Sequence, residues 1–220
     1  MAARSAKVTV KRKTTQPRGR PPLDNTARKR ILDATTLVFL EKGFGRASTS
    51  EIARRARTSK QTLYALFPTK ADLFVSVIGA HTDQLFGQHA YYIESGKKPR
   101  QALTEIGNSV LTMFSAPEFL ALYRIVVAEA HNFPDLACQL WRECTQRGYD
   151  LLADYLKSRR IGGPAYKKSA AQFVSFVLGD FVLNQMLNPD RPRSERALRA
   201  GVQQAVEDFL CLHPAREPRK

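Results

Sequence analysis

Ser59-Lys60-Gln61-Thr62 sets two base-reading side chains next to each other, just inside a segment that a serine can open as a helix. A lysine ammonium donates to guanine O6 and N7, and a glutamine amide can bond adenine bidentately. Thr58, Ser59 and Thr62 add hydroxyls that suit several bases. Tyr64 follows with a hydroxyl suited to a phosphate, while Arg28 and Lys70 stand at predicted helix starts, where the helix dipole also favours phosphate. The expected partner of this set is double-stranded DNA. Thr58, Ser59, Lys60, Gln61 and Thr62 would meet base edges, and Arg28, Ser48, Thr49, Arg57, Tyr64 and Lys70 the backbone. Bond-making chemistry is not expected. The chain has no G-x-S-x-G elbow, no Walker loop and no paired carboxylate constellation. Its four histidines lack ligand spacing, so neither a metal nor a cofactor is predicted.

A second basic element lies ahead of the first helix. Pro17-Arg18-Gly19-Arg20-Pro21 resembles the core of an AT-hook, an extended Arg-Gly-Arg that lies in a narrow A·T minor groove. Such grooves have enhanced negative potential and attract inserted arginine; the glycine lets the backbone approach the groove floor. Arg18, Gly19 and Arg20 are therefore candidates for a minor-groove arm, like the arms that accompany homeodomains. The same residues also suit a phosphate-seeking tether without sequence preference, or a solvated tail with no partner.

Charge distribution supports a polyanion partner. Residues 1–30 carry ten Lys/Arg and one acid, and residues 31–80 carry seven and four. The first 80 residues thus hold +12 of the total +15, a local patch rather than an even coat. The longest uncharged run, Ile106 to Pro117, is far short of the roughly 18 apolar residues that a membrane span needs, so a soluble cytoplasmic protein is expected. Cys138, Cys144 and Cys211 make neither a disulfide framework nor a metal site, and beyond Arg142 and Arg147 no cluster of cations surrounds both Cys138 and Cys144 to make them oxidant sensors.

The elements that must position these groups are all helices. Residues 1–25 read as a disordered basic arm. Ile31, Ala34, Val38 and Leu32, Thr35, Phe39 share a 3.6-period face on a helix ending at Gly43. Ser48-Thr49-Ser50-Glu51 is a capping box that opens a short helix to about Ala56, Ser59 caps a second over 60–66, and Thr69-x-x-Asp72 is another box. Further helices are predicted at 71–93, 101–115, 117–131, 134–158, 166–187 and 194–212, with Pro99, Pro117, Pro134 and Pro164 at or just before their starts. Two short helices joined through Arg57-Thr58 are a helix-turn-helix signal, which lays the second helix in the major groove.

The stretch "ILDATTLVFLEKGFGRASTSEIARRARTSKQTLYALFPTKADLF" resembles the N-terminal domain of TetR-family transcriptional regulators, carried by Ala34, Phe39, Gly43-Phe44, Ile52-Ala53, Ala56, Ser59, Thr62-Leu63-Tyr64, Phe67-Pro68, Lys70 and Leu73-Phe74. Pro117 to Glu143 is similar to the ligand-domain segment of AefR/AcrR-like members. The resemblance implies an all-α protein: a three-helix helix-turn-helix domain over 26–72, and a larger helical ligand-binding and dimerisation domain over 73–215. It implies a homodimer whose inducer releases operator DNA. The chain departs from the family at Arg57, where the turn usually holds glycine, and at the small Ala65.

For the cavity that the resemblance implies, Phe86, His89, Phe114, Tyr123, Trp141, Phe173 and Phe176 are the candidate lining, with His81 and Glu129 also within reach. Aromatics at this spacing suit a plain core equally. A small hydrophobic or aromatic inducer is the expected ligand. The helix over 170–187 is apolar on nearly every side and must be covered on both. Phe181, Val182, Leu198, Val202, Val206 and Phe209 are the candidate dimer interface, with Asp180 and Asn184 at its wet rim. The alternative to a ligand-responsive repressor is an architectural DNA binder driven by the basic arm; activation in place of repression is also open.

Overall fold

The apolar face from Ile31 onward winds into α1 (Asn25–Arg46), with Ile31, Val38 and Phe39 fully buried. The predicted stop at Gly43 is a kink instead, at φ 71 and ψ 178, after which one more turn follows. A left-handed φ is what glycine permits without a Cβ clash. It turns Phe44 back into the core, against Phe39, Phe74 and Phe133. This computed structural model describes residues 25–87, 89–188 and 194–214. The Arg18-Gly19-Arg20 arm lies outside them, as do the side chains of Phe86 and His89.

Two short helices follow. The Ser48 hydroxyl accepts the Glu51 amide at 3.2 Å and opens α2 (Thr49–Arg55). Glu51 does not complete the predicted box. Its carboxylate takes Lys42 and Arg55, and Arg55 in turn holds Glu41, so the charged groups tie α2 back to α1. Ser59 Oγ accepts the Thr62 amide at 3.0 Å and opens α3 (Lys60–Leu66). Thr69 and Asp72 form the full reciprocal box, at 2.9 and 3.0 Å, ahead of α4 (Lys70–Phe86).

Among the described residues the rest is also helical: α5 (His89–Glu94), α6 (Pro99–Ser115), α7 (Pro117–Glu129), α8 (Pro134–Leu140), α9 (Arg147–Ser158), α10 (Tyr166–Leu178), α11 (Phe181–Leu187) and α12 (Glu195–Leu212). The helix predicted over 71–93 breaks near Gly87 into α4 and α5. That over 166–187 bends by 46° at Gly179, whose φ of 45 permits the break. The one over 134–158 is continuous, but a π-helical stretch, Trp141–Gln146, joins α8 to α9. No single helix among the described residues is long and apolar enough to cross a membrane.

Two apolar cores hold these elements. The first joins α1–α4 to α7 and α8 through Phe39, Phe74, Phe119, Leu122 and Leu136. The second joins α6, α9, α10 and α12 through Leu103, Leu156, Phe173 and Val206. Four of the six expected interface residues are taken up by the second core. Phe181, Val202, Val206 and Phe209 are 0–2% exposed inside one protomer. Val182 and Leu198 are half-buried against the same core. The stripe on α12 is consumed by α6, where a Cβ on Gly107 would stand 2.8 Å from Val202 Cγ1. The apolar side chains left exposed at this end are Leu183, Leu187 and Leu212.

Candidate nucleic-acid interface and ligand cavity

Leu63 anchors α3 by complete burial, and Leu66 is half-buried, while Ser59, Lys60, Gln61, Thr62, Tyr64 and Ala65 are exposed. The exposed face thus carries Ser59, Lys60, Gln61 and Thr62 of the expected base-reading set, while Thr58 is half-buried in the turn before it. Its hydroxyls are partly engaged: Ser59 and Thr62 lie 2.9 Å apart within the cap, leaving Lys60 and Gln61 as the long side chains at the leading edge. The predicted backbone contacts are more committed. Tyr64 and Thr49 bond each other through their hydroxyls at 2.8 Å, which clamps the start of α2 to α3. Ser48 serves as the cap of α2. Arg28 is exposed and lies 4.9 Å over the Phe67 ring.

Lys70 departs most from expectation. Its ammonium points at the end of α1, donating to the carbonyls of Phe44 (2.8 Å), Gly45 (3.2 Å) and Ala47 (3.3 Å), and sits 4.5 Å over the Phe44 ring. A cation at a helix C-terminus is favoured by the dipole and by the unpaired carbonyls there. Burial pushes the Lys70 ammonium down from its ordinary range, and the Glu129 charge opposes that.

The turn between α2 and α3 is closed by the Thr58 amide on the Ala53 carbonyl at 3.0 Å. Arg57, exposed in that turn, adopts φ 51, the left-handed conformation that the departure from glycine implied. For a residue with a Cβ this conformation is costly. Arg57→Gly is therefore expected to raise stability by up to about 1 kcal/mol in urea unfolding. It should weaken DNA binding, through the lost cation, if Arg57 meets a phosphate; unchanged affinity would remove Arg57 from the contact set.

Glu129 was a candidate for the cavity, and the structure turns it the other way. Its Oε1 accepts the Gly45 amide at 3.2 Å, and Phe133, just beyond α7, stacks edge-on against Phe44 at 4.8 Å. Eighty-four residues of chain separate the two partners, so no local pattern announces the contact. Glu129→Ala is expected to lower stability by about 1–2 kcal/mol, because it removes a charged hydrogen-bond acceptor and the anion beside Lys70. Thermal or urea unfolding checks this.

The face of α7 beside Glu129 lines a cavity of about 480 Å³, through Val126, Val127 and Ala130. Phe114, Tyr123 and Trp141 line it as predicted. Phe173 and Phe176 do not: Phe173 is buried edge-on against Phe209, 5.2 Å away, and Phe176 packs on the same core. His81 is also outside the wall, 3.1 Å from Glu118. Sequence reasoning missed Thr82, Cys144, Thr145 and Tyr149; the last three sit in or just after the π-helical stretch, a feature that often marks functional sites.

Comparison with known proteins fits this layout. Residues 31–77 match the family model for bacterial regulatory proteins of the tetR family, and residues 101–213 match that for the C-terminal domain of AefR-like transcriptional repressors. The HTH-type transcriptional activator FasR of Mycolicibacterium smegmatis is 28% identical over 170 residues, 75% of this chain and 74% of its own. The transcriptional repressor KstR of the same organism is 34% identical over 76 residues, covering 34% of this chain and 37% of its own. Among solved structures, the flavonoid-responsive regulator FrrA aligns with TM-score 0.67 and 27% identity over 88% of this chain and 98% of its own. A TetR regulator from Agrobacterium tumefaciens aligns with TM-score 0.62 and 21% identity, covering 85% and 94%, and shares the fold. With a reading domain and a C-terminal domain both matched in order along one chain, the protein belongs to the TetR family of transcriptional regulators, which are not enzymes.

Proposed function

We propose that the chain is a homodimeric repressor that binds a palindromic operator and is released from it by a small hydrophobic or aromatic inducer. Residues 26–72 form the DNA-binding unit, 73–215 the ligand-binding and dimerisation unit, and 1–25 a basic arm. The observation that carries this reading is the double duty of α7. Its Val126 and Val127, and Ala130 at its C-terminal cap, stand in the cavity wall while Glu129, on the same turn, holds Gly45 just ahead of α2. A ligand that shifts this turn changes the placement of α2 and α3, and it does so only by its difference in affinity between the two states. Lys60 and Gln61 of each protomer read successive major grooves. Leu183 and Leu187, exposed on α11, supply apolar surface for a second copy.

Repression rests on the AefR-like repressor domain and on KstR; FasR is an activator. The test is fluorescence anisotropy on the inverted repeat nearest the gene, with and without ligand, together with sedimentation at micromolar concentration. A monomer, or an operator complex indifferent to every cavity ligand, would overturn the reading. The second reading, a weakly specific binder driven by the arm, is motivated by the +9 net charge of residues 1–30. It predicts a steep salt dependence and a small ratio of specific to nonspecific affinity. Deleting residues 1–25 separates a sequence-reading arm, a tether and an arm with no part in binding.

A further inference from the structure

We infer that the cavity admits a neutral aromatic ligand bearing a hydroxyl or carbonyl oxygen, and rejects the carboxylate of the same skeleton. This inference deepens the proposed function by naming the class of inducer, and it rests on that reading only for the release step.

Among the described residues the wall contains no aspartate, glutamate, lysine, arginine or histidine. Its polar side chains are tyrosines, threonines, one indole and one thiol. Burial pushes the Cys144 thiol up to about 11, and burial also raises the Tyr149 hydroxyl, so both remain neutral at physiological pH. Two guanidinium groups lie close by without joining the wall: that of Arg147, whose charge reaches the Cys144 thiol, is paired with Asp83 at 3.2 Å. That of Arg159 is 5.8 Å from the centre of the Tyr155 ring, and it donates to the backbone carbonyl of Ile93 at 3.2 Å. An anion entering the cavity would lose its water and meet no opposite charge in the described wall, the nearby arginines being engaged with Asp83 and Ile93, which is a large penalty; a hydroxyl or ester carbonyl needs only one of the wall's hydroxyls.

Aromatic shape follows from the walls. Seven lining residues are aromatic, enough to face a ligand from several sides. Phe114 lies edge-on to Phe119 at 5.1 Å and to Tyr123 at 5.7 Å, and Trp141 lies edge-on to Tyr149 at 6.2 Å. Rings at these angles present both faces and edges, the two geometries that a flat aromatic guest prefers. The cavity volume, about 480 Å³, is within the range of small-molecule sites.

Trp141, the only tryptophan in the chain, is half-exposed in this wall and reports on occupancy. The full chain at pH 7.5 is titrated with methyl biphenyl-4-carboxylate and, separately, with biphenyl-4-carboxylate, following Trp141 fluorescence and calorimetric heat. The ester is expected to bind at least about tenfold tighter than the anion. Ala137→Phe, which fills the cavity from α8, is expected to abolish ester binding. Met113→Lys, which places a cation in the wall, is expected to reverse the preference. Equal or tighter binding of the anion to the unaltered chain overturns the inference. So does ester affinity that survives Ala137→Phe, or the absence of binding by both probes. Operator release is measured apart. An ester that binds without releasing DNA leaves the ligand class standing and refutes the regulatory reading; release by the carboxylate alone does the reverse.

Discussion

Replacing Lys60 and Gln61 together by alanine is expected to weaken operator binding by two to three orders of magnitude and to leave nonspecific binding nearly intact. Each good bidentate base contact contributes about 1–3 kcal/mol of discrimination. In the proposed dimer two protomers would carry two such side chains each, so even the low end of that range sums to about 4 kcal/mol, close to a thousandfold. The fold should not change, because both side chains are exposed while the Ser59 cap and the buried Leu63 anchor remain. Anisotropy titrations on the operator and on a scrambled duplex, at two salt concentrations, make the comparison. If the ratio of the two affinities survives in the double variant, the leading edge of α3 does not read bases.

The reading helices were legible because their signals are local. A serine three residues ahead of the amide it accepts starts both α2 and α3, and those bonds form at 3.2 and 3.0 Å. Arg57 was legible too, as a non-glycine at a position whose conformation is left-handed. The cavity was harder. Phe114 and Phe173 look alike in sequence, each an aromatic on an apolar helix. Which one faces a void depends on the neighbouring helix: α12 covers Phe173 with Phe209, whereas Phe114 turns to Tyr123 and the cavity. Four of the expected interface residues, Phe181, Val202, Val206 and Phe209, are hidden inside the chain for the same reason. Apolarity marked α11 and α12 as needing cover, but Gly107 on α6 receives Val202 and draws that stripe inside the protomer.

The charged groups misled through length. Lys70 and Glu129 were placed by their position on a helix, at a phosphate and at a ligand. Both are long enough to reach a different element, and both converge on the carbonyls and amide of residues 44–47. The unpaired backbone groups that a kink at Gly43 leaves behind are what attract them.

Phe74 is the residue whose loss should be felt most widely. Its ring is fully buried and lies edge-on to Phe39 at 4.8 Å and to Phe44 at 5.7 Å, and Phe44 in turn meets Phe133 beyond α7. One side chain on α4 therefore packs α1, on which α2 and α3 sit, against the turn that adjoins the cavity. Phe74→Ala removes that ring and leaves a cavity that close packing refills only in part, so a loss of about 3–5 kcal/mol is expected in urea unfolding. Leu37→Ala, on the exposed face of α1, should change stability by about 0.5 kcal/mol or less and serves as the control. Operator affinity should fall with Phe74→Ala even under conditions where the variant stays folded, because α1, which carries α2 and α3, loses the packing that fixes its angle to α4. A variant as stable as the parent would show that the aromatic cluster is not the joint between the two halves. One that is destabilised but binds the operator normally would separate the stability of the joint from its role in aiming the reading helices.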